Sequence, residues 1–271
     1  MLNIKNTLNP EAKPSIVMMV YGEGGVGKST FASTSDKPLM LDFENGSKYF
    51  GLRGINMDMV NINSWADVVE FKKALISGEL KNYNTIVIDP IGEAMEKLKR
   101  AIIGTGQSKW VQKSDNSLTM AGWGELKFRM KDFLKTLRDS GKNVILIGHV
   151  EEKDDEGVLV KRPMIETKIA TDIRNLVDIV GYMFTVTKED GEQRVICVHD
   201  NAKFWAKDRT GTLDKYIKPD FKLIADKLQT YAWAKEPVDT PKVETPKAEE
   251  EKVATTTATS LNERAKEQNG N

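Results

Sequence analysis

Nine consecutive residues, Gly22-Glu23-Gly24-Gly25-Val26-Gly27-Lys28-Ser29-Thr30, carry the most specific chemistry in this chain. They fit the spacing G-x-x-x-x-G-K-[ST]. Glycines let the backbone curl so that its N–H groups face inward on an anion. A lysine then reaches the outer phosphates, and a hydroxyl is left for a divalent cation. The chemistry expected is binding of a nucleoside triphosphate with Mg²⁺, with Lys28 on the β- and γ-phosphates and Ser29 on the metal. Context agrees: Ser15–Tyr21 is a short apolar run, read as a buried strand, and a helix is expected from Lys28.

Three further segments end in polar residues that could serve the same site. Thr85-Ile-Val-Ile-Asp89 is an apolar strand closing on an aspartate, about 60 residues after the glycine-rich loop. Asp89 is the expected second Mg²⁺ ligand, and an aspartate leading into the next helix is compatible with that role. Leu39-Met-Leu-Asp42-Phe-Glu44 is the first strand after the loop's helix and delivers two carboxylates to the same sheet edge. Glu44 is assigned as the base that takes a proton from an attacking water. Ordinary polar loop-start residues are the alternative. Val144-Ile-Leu-Ile-Gly-His149 presents one of only two histidines at that edge, where a polar side chain could sense the γ-phosphate; a structural histidine is the alternative.

The elements that must position these groups alternate. Strands are expected at 15–21, 38–43, 58–62, 85–89 and 143–150. Helices are expected from Lys28, after Ser64, over 91–103 and over 125–140. That alternation implies a parallel sheet with right-handed crossovers. Later come a short helix at 171–176 and strands at 179–187 and 193–199. These two strands turn at Asp190-Gly191, an antiparallel edge, before a last helix at 221–233. Residues 104–124 read as a mobile loop, and 151–168 as a charged loop or a hairpin about Glu156-Gly157. The expected organisation is an arm at 1–14, a domain at 15–235, and a disordered polar tail at 236–271 with a possible short helix near 261–268.

Composition bounds the rest. Charged residues make up 30% of 271 and net charge is zero; the tail's eight acids and five bases leave 35 bases against 32 acids elsewhere. A charge so small neither requires nor excludes nucleic acid. No apolar run approaches the roughly 18 residues of a membrane span. The first 14 residues lack a signal-peptide pattern. A cytoplasmic protein without membrane contact is expected. The single cysteine, Cys197, lies in an apolar run and reads as a buried thiol.

Together, Asp42-Phe-Glu44, Ile86–Asp89 and the strand ending at His149 resemble the RecA-like recombinase core. There a strand ending Asp-x-Glu follows the P-loop helix and supplies the catalytic base. The resemblance is nearest to core-only phage ATPases, the Sak-type single-strand annealing proteins and their AAA-type P-loop relatives, and covers about residues 15–230. In that family the sensor strand usually ends in glutamine, and here it ends in His149. The resemblance implies a RecA-like P-loop α/β core: a mostly parallel twisted sheet flanked by helices, with an antiparallel edge. It also implies ATP as the nucleotide, homo-oligomers, and single-stranded DNA as a partner, with a single-strand-binding protein as a further one.

The family touches DNA through the loops after the Asp89 helix and after the sensor strand. Here these hold Lys109, Trp110 and Lys113, and Lys161 and Arg162, the second loop alongside a run of acids. Cations neutralise phosphates and an aromatic ring stacks on bases; polar loops with packed tryptophans are the alternative. Lys207-Asp-Arg209 resembles the Lys-x-Arg finger of DnaB-type hexameric helicases, which reaches a neighbour's γ-phosphate; a charged surface turn is the alternative. A nucleotide-dependent switch or loader whose partner is a protein competes with the DNA reading.

Overall fold

Alternating burial along each strand sets the architecture. In β1 (Val17–Gly22) every residue is buried. Val17, Met19 and Tyr21 enter one core, while Met18 and Val20 enter the other. A strand buried on both faces belongs in the middle of a layered α/β sheet. A computed structural model describes residues 14–155, 157–189 and 191–232, and it places β1 there.

After β1 come α1 (Lys28–Ser33), β2 (Pro38–Asp42), β3 (Asp58–Asn61), α2 (Trp65–Ser77), β4 (Thr85–Asp89), α3 (Ile91–Gly104) and α4 (Met120–Asp139). Then follow β5 (Asn143–Asp155), β6 (Val158–Pro163), α5 (Thr167–Leu176), β7 (Ile179–Lys188), β8 (Gly191–Cys197), β9 (Lys207–Asp208), β10 (Tyr216–Ile217) and α6 (Phe221–Ala232). The sheet order is β10-β8-β7-β1-β5-β4-β2-β3. Strands β7, β1, β5, β4, β2 and β3 run parallel; β8, β9 and β10 add antiparallel pairs at the β7 side.

One core packs α2 to α5 against the sheet. Its members include Leu41, Ile88, Leu98, Leu126, Phe133 and Leu146. The other packs α1 and α6 against the opposite face, with Phe31 meeting Phe221 edge to face at 6.0 Å between ring centroids. Truncating a fully buried side chain such as Ile88 to alanine would cost about 2–5 kcal/mol.

Where the structure departs from the sequence reading, local chemistry explains it. Residues 105–119 form a hydrogen-bonded hairpin rather than an open loop. Val111 bridges Leu118, and Thr119 N donates to the Trp110 carbonyl. Helix α4 starts at Met120, five residues before the expected start, despite Gly122 and Gly124. The Thr119 hydroxyl caps it by accepting from Gly122 N at 3.0 Å. Gly122 belongs there because a Cβ would lie 2.2 Å from the Trp110 oxygen. Helix α5 likewise starts early, at Thr167, with Glu166 as its cap, a residue seldom read as one. Residues 151–163 are the hairpin alternative: β5 runs on to Asp155 and pairs back with β6. The readings for the arm, for the turn residues Glu156 and Asp190, and for the tail with its short helix lie outside the described residues.

Candidate functional site

The parallel register brings the expected residues to one edge. Gly22, the last residue of β1, pairs with His149 of β5, and Asp42 at the end of β2 pairs with Asp89 at the end of β4. Strand β5 lies between β1 and β4, so His149 stands between the glycine-rich loop and Asp89.

The loop itself is built on close approach. A Cβ on Gly22 would lie 2.3 Å from the Met183 carbonyl oxygen of β7, so only glycine lets these strands meet. Gly25 and Gly27 have φ of 77° and 104°, which curls the loop from Glu23 to Val26 around toward Lys28. Lys28 is buried, and its ammonium donates to the carbonyls of Gly22 and Glu23, each at 2.8 Å. Burial lowers its pKa, opposed by the charges of Asp89, Glu23 and Glu44.

The Ser29 hydroxyl donates to Asp89 Oδ2 at 2.6 Å. Burial raises the Asp89 pKa; that hydrogen bond and the Lys28 charge oppose the rise. Two hard oxygens converging on one point from the helix after the loop and from the end of β4 suit Mg²⁺, which keeps several waters beside few protein ligands. The residues present therefore fit the ion. No group of three or more His, Cys, Asp or Glu side chains forms a separate metal site among the described residues.

Asp42 and Glu44 divide their roles. Asp42 is buried and accepts from the backbone N–H groups of Glu44 at 3.1 Å, Gly46 at 3.3 Å and Ser47 at 3.0 Å, and from the Ser47 hydroxyl. It ties down the turn after β2, where Asn45 adopts φ of 55°. Glu44 thereby projects from a fixed backbone into a cleft shared with His149, whose Nε2 lies 3.4 Å from Glu44 Oε1. The sequence assigns the base to Glu44 and gives Asp42 no separate role; the structure makes Asp42 the residue that positions Glu44.

Other candidates lie apart from this edge. Lys207 donates to the carbonyls of Arg174 and Val177 at 2.6 and 2.7 Å, closing the end of α5. Arg209 meets Asp178 at 3.2 Å and the Asn175 carbonyl at 2.6 Å. The same Asp178 accepts from Val17 N, at the start of β1. Both cations therefore sit at the amino end of the sheet, opposite this chain's own glycine-rich loop.

Lys109 and Lys113 are exposed on the 105–119 hairpin, whereas Trp110 is half-buried beneath the Arg129 guanidinium. Arg162 pairs with Glu151 at 3.0 Å and lies over the Trp205 ring. Lys161 is 3.4 Å from Glu152 and 3.9 Å from Glu23. Among the described residues, Lys109 and Lys113 have no acidic side chain in contact, whereas Lys161 and Arg162 do.

Sequence reasoning missed two cations near the loop. Arg53 donates to the Thr30 hydroxyl at 3.4 Å, and Arg194, on β8, stands against Gly27. Neither lies in a motif; strand pairing alone brings Arg194 there. Cys197 is buried as expected, and burial raises its pKa.

No helix among the described residues is long and apolar enough to cross a membrane. The chain is 24% identical over 212 residues to the SPbeta prophage-derived uncharacterized protein YorG of Bacillus subtilis (strain 168), matching 76% of this chain and spanning 62% of that relative's length. Among solved structures it is similar to a KaiC-like protein of Pyrococcus horikoshii OT3, with 14% identity over 67% of this chain and 77% of that one at a TM-score of 0.37. It is similar too to the flagellar accessory protein FlaH of Methanocaldococcus jannaschii, with 10% identity over 78% and 87% at 0.41. A third such structure is the RadB recombinase, with 15% identity over 70% and 84% at 0.39. The parallel sheet, its antiparallel edge and the glycine-rich loop between β1 and α1 make up the α/β core expected from the sequence. Residues 15–210, which hold the glycine-rich loop, Glu44, Asp89 and His149, match the AAA domain family AAA_24, and the chain belongs to that family.

Proposed function

We propose that this protein hydrolyses ATP and acts on single-stranded DNA in phage recombination or annealing, as a Sak-type core-only ATPase. The observation that carries the ATPase reading is the convergence of Lys28, Ser29, Asp89, Glu44 and His149 on one edge of the sheet. In this reading Lys28 and the loop N–H groups bind the β- and γ-phosphates. Ser29 and Asp89 would hold Mg²⁺, which would supply positive charge beside the phosphates. Glu44 orients the attacking water and accepts its proton. His149, beside Glu44, is placed to couple the γ-phosphate to the β5–β6 hairpin that continues its own strand.

For DNA, the support is narrower. Lys109 and Lys113 are exposed on a hairpin fixed to the start of α4, and the YorG relative is prophage-derived by name. A second reading, a nucleotide switch whose partner is a protein, is favoured by the commitment of Arg162 and Trp110 to internal contacts. The test is ATP turnover with and without single-stranded DNA, using Glu44→Gln as control and a Lys109→Ala/Lys113→Ala double variant. Stimulation by DNA that disappears in the double variant, with ATP still bound, supports the DNA reading. Turnover indifferent to DNA moves the assignment to the protein-partner switch.

A further inference from the structure

Strand β8 sends one side chain to the glycine-rich loop. Ile196 is fully buried on the α1 side of the sheet. Two residues earlier, on the same face by strand periodicity, is Arg194. The pairing fixes its height. Gly22 of β1 is level with Met183, Met183 pairs with Ile196, and Thr185 pairs with Arg194. Arg194 therefore stands beyond the end of β1, over the loop that follows it. A carbon in the Cβ position of Gly27 would lie 3.4 Å from Arg194 Nη1 and 3.5 Å from its Cδ.

The guanidinium is exposed and makes no hydrogen bond or ion pair among the described residues. It borders a cleft of about 990 Å³ bounded by Glu23 to Val26, by Thr185 and Gln193 on the β7–β8 hairpin, and by Lys218 and Pro219. Glu23 and Glu192 share that cleft. An arginine with no carboxylate in contact among the described residues, leaning on the glycine that precedes the P-loop lysine, has a planar fork suited to phosphate oxygens.

We propose that Arg194 contacts the phosphates of the nucleotide held by its own chain, so that the β7–β8 hairpin supplies a cation in cis. This rests on the nucleotide reading of the P-loop. It differs from the finger expected at Lys207 and Arg209, which lie at the opposite end of the sheet and are tied to α5.

The test is equilibrium binding of fluorescent ATP and ADP analogues to the full chain and to Arg194→Ala and Lys28→Ala variants. Unfolding midpoints are measured alongside without nucleotide. Arg194→Ala is expected to weaken binding about tenfold, the scale of one charge-assisted contact, with its midpoint unchanged. Affinity within twofold of the unaltered chain, while Lys28→Ala has lost binding, overturns the proposal and leaves the P-loop reading standing. A fall in affinity matched by a fall in the midpoint makes the effect structural and also overturns it. No binding by the unaltered chain sinks the nucleotide reading, and this proposal with it.

Discussion

His149 Nε2 stands 3.4 Å from Glu44 Oε1, joining the middle of β5 to the turn after β2. Both side chains are roughly half exposed, so the contact is adjustable rather than locked, and its weight lies in position. It places His149, the β5 residue level with Gly22 of the glycine-rich loop, against the carboxylate assigned as the base.

Removing the base should separate binding from turnover. Glu44→Gln keeps shape and loses the proton acceptor, so ATP binding should persist while kcat falls about 10²–10⁴-fold. His149→Ala should lower kcat less, because Asp42 still fixes the turn that carries Glu44. Single-turnover measurements on both variants check this, and a larger loss at His149 would reverse the assignment.

Lys207 and Arg209 are expected to act on stability. Lys207→Met leaves two carbonyls at the end of α5 without their donor, at a cost of about 1–2 kcal/mol read by denaturant unfolding. Turnover per folded molecule should stay unchanged in Lys207→Met and Arg209→Ala. Turnover lost from Arg209→Ala at undiminished stability would instead mark a finger acting on a neighbouring chain.

Gly122→Ala probes how the 105–119 hairpin is held. The added methyl would meet the Trp110 carbonyl at 2.2 Å, so the hairpin must shift, at about 1–3 kcal/mol. If Lys109 and Lys113 contact DNA, strand affinity should fall with it while ATP affinity stays. Equal affinity for DNA in this variant would remove the hairpin from the interface.

Asp67 makes one element of stability dependent on pH. Its carboxylate accepts from Ser64 N at 2.9 Å and Asn63 N at 2.8 Å at the start of α2, and these hydrogen bonds, the Ser64 one foremost, hold its pKa below the ordinary value. A depressed folded-state pKa means the contribution is present above the unfolded pKa, about 4, and is lost as pH falls through the folded value. Asp67→Asn should therefore unfold more easily at neutral pH, and its difference from the unaltered chain should shrink on acidification. A difference independent of pH would show that shape, not charge, caps this helix.

The sequence by itself determined the P-loop, the strands that carry Asp89, Glu44 and His149, and the α/β class. Each of these is written in local spacing: glycines before a lysine, or an apolar run closed by a polar residue. The antiparallel pairing of β7 with β8 was equally legible, as two apolar runs close together in the chain. Tertiary structure decided what spacing cannot express. Along the chain Glu44 was assigned the base and Asp42 had no role; burial under the turn's N–H groups made Asp42 the anchor. The early start of α4 depended on the Thr119 cap, with Gly122 leaving room for the Trp110 carbonyl. Arg194 lies 166 residues from Lys28 and reaches the loop only because β7 pairs with β1 on one edge and β8 on the other. Lys207 and Arg209 carry a motif's spacing, but antiparallel pairing of β9 with the start of β7 set them at the far end of the sheet. Contacts between residues distant in sequence depend on strand order and register, which hydrophobic pattern constrains only one strand at a time.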